Sequence, residues 1–69
     1  MSDQVYKLTE IVGTSGESLE KAIGVALERA QDSIRHVRWF EVSSIRGYVH
    51  PERGMEYQVA LKIGFGIES

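Results

Sequence analysis

Five apolar side chains at every second position, Tyr57, Val59, Leu61, Ile63 and Phe65, constrain the fold more than any other feature of the chain. Side chains alternate faces along a strand, so this run reads as one long strand, from about Met55 to Ile67, with one wholly apolar face. Gln58, Ala60, Lys62, Gly64 and Gly66 fall on the other face. The apolar face needs a cover, and one segment supplies it. Leu19, Ala22, Ile23, Ala26, Leu27, Ala30, Ile34 and Val37 recur at three- and four-residue spacing, which predicts an amphipathic helix from about Glu17 to His36. Lys21, Glu28, Arg29, Asp32 and Arg35 mark its solvent side. Thr14 and Ser15 are its N-cap candidates, with Thr14-x-x-Glu17 fitting a capping box. Glu17 and Glu20 place negative charge near the positive end of the helix dipole, and Arg35 and His36 are expected in the last turn.

Two further strands complete the reading. Val5 to Val12 forms the first, with Tyr6, Leu8 and Val12 on one face and Val5, Lys7, Thr9 and Ile11 on the other, before Gly13-Thr14-Ser15-Gly16 breaks it. Trp39 to Val49 forms the second. It is joined to the last strand by His50-Pro51-Glu52-Arg53-Gly54, a short loop with turn residues that predicts an antiparallel hairpin. The fold class is therefore α+β, ordered β-α-β-β: a three-stranded antiparallel sheet packed on one helix, in a single domain spanning 1–69. Strict alternation puts Phe40 and Val42 towards the helix. Trp39 then shares the opposite side with Glu41, Ser43 and Ile45, alongside Gln58 and Ala60. That side has no partner within the chain, and a Trp on it is normally wanted by a ligand or another subunit.

A chain of 69 residues holds a small core, worth roughly 3–5 kcal/mol at this size. Cysteine is absent, which excludes disulfides and Cys-ligated metals, and the two histidines, His36 and His50, sit far apart. Oligomerisation is the remaining supplement. The net charge of −2 is small and the basic residues are scattered, so no nucleic-acid partner is expected. No apolar run approaches the roughly 20 residues that span a bilayer, and no signal segment is visible. A cytoplasmic protein without a membrane partner is expected.

Little of the chain suggests catalysis. Ser43-Ser44 lacks a basic partner nearby in sequence. The Gly13–Gly16 turn lacks the Lys-Ser/Thr ending of a phosphate loop. Glu10, Glu17, Glu20 and Glu28 are either solvated charge or a cation site in an assembled shell. Arg46 is placed to pair with Glu41 or Glu56, and Trp39 by itself reads as a subunit-contact anchor ahead of a ligand platform.

Taken together, Val5-Tyr6-Lys7, Glu10-Ile11-Val12-Gly13-Thr14-Ser15, Ala22-Ile23, Ala26-Leu27, Arg29-Ala30, Trp39-Phe40-Glu41-Val42, Ile45-Arg46-Gly47, Tyr57-Gln58-Val59 and Lys62-Ile63-Gly64-Phe65 resemble the dodecin family of small flavin-binding proteins, in family order and over nearly the whole chain. The resemblance implies a hollow homododecamer that holds flavin (FMN, riboflavin or FAD) in pairs at two-fold interfaces. It implies storage and sequestration of the flavin, with quenching of its photochemistry, rather than turnover. Trp39 matches the tryptophan that stacks on the isoalloxazine ring, Gln58 the glutamine that hydrogen-bonds its polar edge, and Arg46 one of two arginines near the flavin phosphate. Coenzyme A is a further candidate partner. The alternative is a structural or cation-binding shell of the same fold with little flavin affinity. Two positions depart from the family pattern. Arg38 stands where Asp is usual, and Gly66 replaces the second phosphate-site arginine in the ending Gly64-Phe65-Gly66-Ile67-Glu68. From Gly66 alone, weaker discrimination for the phosphorylated flavin is expected; Arg38 points to the opposite face by alternation, yet is long enough to come round and replace some of the lost charge.

Overall fold

A computed structural model describes residues 3–67 of the chain. Their order is β1 (Tyr6–Ser15), α1 (Leu19–Ser33), β2 (Val37–His50) and β3 (Gly54–Gly66). The strands form one antiparallel sheet in the order β1-β3-β2. The central position of β3 explains its unbroken apolar face: Val59, Leu61 and Ile63 are fully buried there. The three alanines of the helix stripe, Ala22, Ala26 and Ala30, close the core from above. Ile11, Leu19, Ile23, Leu27, Ile34 and Val37 pack around them.

Small residues let the helix and sheet approach closely. Gly13, in β1, is the tightest point: a Cβ built there would stand 2.2 Å from the Ala22 carbonyl oxygen and 2.8 Å from Ala26 Cβ. Glycine is required by that approach. It does not end the strand as expected. Gly13, Thr14 and Ser15 stay in the ladder opposite Val59, Gln58 and Tyr57, because the long β3 offers partners that far.

The helix consequently starts later than expected. Its N-cap is Ser18, whose Oγ accepts from the Lys21 N–H at 3.0 Å; neither Thr14 nor Ser15 caps it. Ser15 Oγ instead accepts from the N–H of Glu17 at 2.9 Å, closing the turn before the cap. At the other end Ile34 is already extended (φ −116°, ψ 127°). Arg35 and His36 therefore lie beyond the last turn, not in it. His36 adopts φ 64°, a left-handed conformation that His tolerates better than most residues. Its carbonyl accepts from the Gly66 N–H at 3.0 Å. This turn delivers the chain into β2 at Val37, two residues earlier than expected. Strand β3 ends at Gly66; Ile67 follows it, and Glu68 of the family ending lies outside the described residues.

The helix lies over β1 and β3 and leaves β2 largely bare. Phe40 and Val42 do face the helix side, opposite Ile63 and Leu61, yet they remain exposed. The expectation that α1 covers them is corrected by the position of β2 at the sheet edge, beyond the reach of one helix. With a long hairpin projecting past its cover, the molecule measures 55 × 20 × 14 Å.

Candidate functional site

Two irregularities in β2 decide what the open face of the sheet displays. The ladder shifts between Val37 and Trp39 and again between Val42 and Ser44, leaving Arg38 and Ser43 as extra residues without a β3 partner. An extra residue in one strand resets the alternation after it. Beyond Ser43 the phase is inverted. Ile45, opposite Val59, turns to the helix side, and Arg46, opposite Gln58, turns to the open side. The assignment of Ile45 to the Trp39 face by strict alternation is thus corrected. The second bulge is tied down from across the sheet: the Ser43 hydroxyl donates to Glu10 Oε2 at 2.7 Å and lies 3.2 Å from the Ala60 carbonyl oxygen.

Trp39 occupies one end of the open face. It sits opposite Gly64, and its indole lies across that glycine. A Cβ on Gly64 would stand 2.3–2.6 Å from three atoms of the Trp39 ring system. The ring of Tyr6 meets the indole edge-on, with centroids 5.0 Å apart and planes at 73°. Trp39 is nevertheless 40% exposed. An aromatic ring system held by two neighbours and still partly exposed is a stacking surface of fixed orientation.

The other two residues expected in the site lie elsewhere on the same face. Arg46 Nε donates to Gln58 Oε1 at 2.9 Å, so these two side chains form one unit. Arg46 pairs with neither Glu41 nor Glu56. The Glu56 carboxylate is engaged by His50, with Nε2 2.9 Å from Oε1. Its pKa is held below the ordinary value chiefly by that hydrogen bond and then by one to Thr14. Gln58 and Gly64 are six residues apart on β3, which at about 3.3 Å per residue separates the Arg46–Gln58 pair from Trp39 by roughly 20 Å. The structure therefore brings Arg46 and Gln58 together and does not bring Trp39 to them within one chain. Position 66 is further away still, at the Trp39 end.

Two participants in this arrangement escaped sequence reasoning, and a third, Arg38, is expected there only through the length of its side chain. Tyr6 and Gly64 support the indole, and the available signal was their even-numbered positions on the open faces of β1 and β3. Arg38 reaches the open side because it is the bulged residue; its Nη2 lies 4.0 Å from where a Cβ on Gly66 would stand. Alternation alone sends it the other way. Among the described residues, no group of three or more His, Cys, Asp or Glu side chains is gathered to hold a metal ion. Among the same residues, no helix is long and apolar enough to cross a membrane.

Comparison with known proteins fits this geometry. The family model for dodecin matches residues 5–68. The chain belongs to the dodecin family. A curated dodecin from Thermus thermophilus is 52% identical over 65 residues, covering 94% of each protein. A solved Thermus thermophilus structure at 51% identity superimposes with a TM-score of 0.88, covering 97% of this chain and 98% of that one. Dodecin from Streptomyces coelicolor gives a TM-score of 0.89 at 39% identity, covering 100% of this chain and 99% of that one. A relative named calcium dodecin, from Mycobacterium tuberculosis, is 34% identical over 61 residues, covering 88% of this chain and 86% of that protein. The β-α-β-β fold with its antiparallel sheet is the dodecin fold, and the family is one of small binding proteins.

Proposed function

We propose that this protein is a non-enzymatic flavin binder that stores and sequesters flavin in a closed homododecameric shell and quenches its photochemistry. The observation that carries the reading is the open indole plane of Trp39, held across Gly64 on the uncovered face of the sheet. A flat heterocycle stacks on such a plane, and Gln58 offers an amide that donates and accepts to the adjacent N–H and C=O groups of a flavin edge. Gln58 and Trp39 stand too far apart to touch one ring from a single chain. A site using both is built from two copies, in keeping with flavins held at subunit interfaces. The same assembly covers Leu8, Val12, Phe40, Val42, Ile45 and Val49, which one chain leaves exposed. In this reading residues 1–69 form one dodecin-like domain in the cytoplasm, and the stacked indole quenches by donating an electron to the excited ring.

Three measurements test the proposal. Sedimentation velocity is expected to show a dodecamer at micromolar concentration; a monomer refutes the shell. Titration with riboflavin or FMN is expected to quench flavin emission. Trp39→Ala is expected to assemble normally and to lose affinity by about 5-fold or more, since stacking of a planar base on an aromatic side chain is worth about 1–3 kcal/mol. Unchanged affinity in that variant refutes the stacking role.

The kinship with calcium dodecin supports one second reading, a cation-binding shell. Equilibrium dialysis against calcium alongside the flavin titration separates the two: stoichiometric calcium uptake without flavin binding favours the shell. Coenzyme A enters the same titrations as a competitor.

A further inference from the structure

The bulge at Arg38 turns a cation towards the stacking plane. Arg38 adjoins Trp39 in sequence, and its guanidinium has come round to Gly66, on the strand face that carries the indole at Gly64. Gly66 presents no side chain to displace it: the 4.0 Å from Arg38 Nη2 to a Cβ built there is ordinary contact distance. Among the described residues no carboxylate pairs with Arg38, and its side chain is exposed. A second arginine, Arg35, shares with His36 and Gly66 the wall of an open hollow at this end of the sheet. A guanidinium not paired to a carboxylate, beside an aromatic platform and above a bare glycine, suits a planar ligand that trails an anionic group.

Resting on the flavin reading above, we propose that Arg38 binds the phosphate of a flavin mononucleotide stacked on Trp39, so that this protein selects the phosphorylated flavin. The selectivity comes from residue 38 and needs no side chain at position 66. This runs against the weaker phosphate discrimination expected from Gly66 alone.

The test compares FMN and riboflavin affinities, by fluorescence titration at low and high salt, in the assembled wild-type protein, Arg38→Ala and Arg38→Lys. Wild type is expected to bind FMN at least ~10-fold more tightly than riboflavin, the effect of one charge-assisted contact, with the preference shrinking as salt rises. Arg38→Ala is expected to abolish the preference while leaving riboflavin affinity unchanged. Arg38→Lys, a point charge without the planar fork, is expected to retain part of it. Inorganic phosphate added as competitor should weaken FMN and leave riboflavin untouched. Equal affinities in wild type, or an undiminished FMN preference in Arg38→Ala with assembly confirmed by sedimentation, overturn the role of Arg38 while flavin binding stands. Failure of wild type to bind either flavin overturns the flavin reading itself and this inference with it.

Discussion

Neighbouring residues of β3 serve opposite ends. Val59, Leu61 and Ile63 are fully buried under the helix, whereas Gln58 and Gly64, on the reverse face of the same strand, hold Arg46 and underlie Trp39. One face is dry and closed within a single chain. The other is open and combines an aromatic plane, an amide and two guanidinium groups. The difference teaches that the pleat alone separates the residues that stabilise this chain from those that meet its ligand. Substitutions on one face should leave the work of the other untouched, and the sharpest tests look for leakage between them.

The largest effect is expected at the core. Leu61→Ala removes a fully buried side chain, and deletions of this kind cost about 2–5 kcal/mol. Denaturant unfolding should show that loss, whereas Gln58→Leu, on the reverse face, should unfold as wild type does. Equal destabilisation by the two changes would break the division. Gly64→Ala attacks it from the other direction. Its added Cβ would stand 2.3 Å from the Trp39 ring, so the indole must swing away. Flavin affinity is expected to fall by at least ~10-fold, about 1.4 kcal/mol, with a changed indole emission spectrum and an intact fold.

A smaller effect sharpens the role of Arg46. Its hydrogen bond to Gln58 orients the amide, so Arg46→Ala should weaken riboflavin as well as FMN, although riboflavin has no phosphate. A double-mutant cycle with Gln58→Leu should give a coupling of about 1 kcal/mol. Loss of FMN affinity alone, without coupling, would assign Arg46 to the phosphate instead.

The smallest effect is near the hairpin tip, on the open face beyond Gln58. The Glu56 carboxyl has its pKa lowered by His50 and Thr14. A depressed carboxylate contributes stability that is fully present above its unfolded value and lost as pH falls through the folded value. Acid titration should therefore cost wild type slightly more stability than Glu56→Gln across the window just below the ordinary carboxylate range, and the two should respond alike at neutral pH and above. Because the Glu56–His50 contact is only partly buried, the difference should be small and shrink with salt.

Much of the fold was legible in the sequence because it depends on periodicity. The odd-numbered apolar run of β3 and the three alanines of α1 each carry their own repeat, and both stand where the repeat puts them. Element ends were less legible. Thr14 is as good an N-cap as Ser18 in isolation, and only the length of β3 keeps Thr14 in the ladder and passes the cap to Ser18. Trp39 and Gln58 were legible as open-face residues because Trp39 keeps its alternation with Phe40 and Val42 in the stretch between the two bulges, and β3 pairs without a bulge of its own.

The sequence by itself determined the elements, their order, the strand that forms the centre of the core and the indole on the uncovered face. Those are local matters, set by side-chain spacing and turn chemistry over a few residues. Only the tertiary structure decided that Arg46 and Arg38 reach that face, that Gly64 and Tyr6 support the indole, and that β2 escapes the helix. The physical reason is that each depends on pairing between distant segments. A bulge shows only in the register of one strand against another, the space above a glycine only when its neighbour across the sheet is in place, and the reach of a helix only when the sheet beneath it has been assembled.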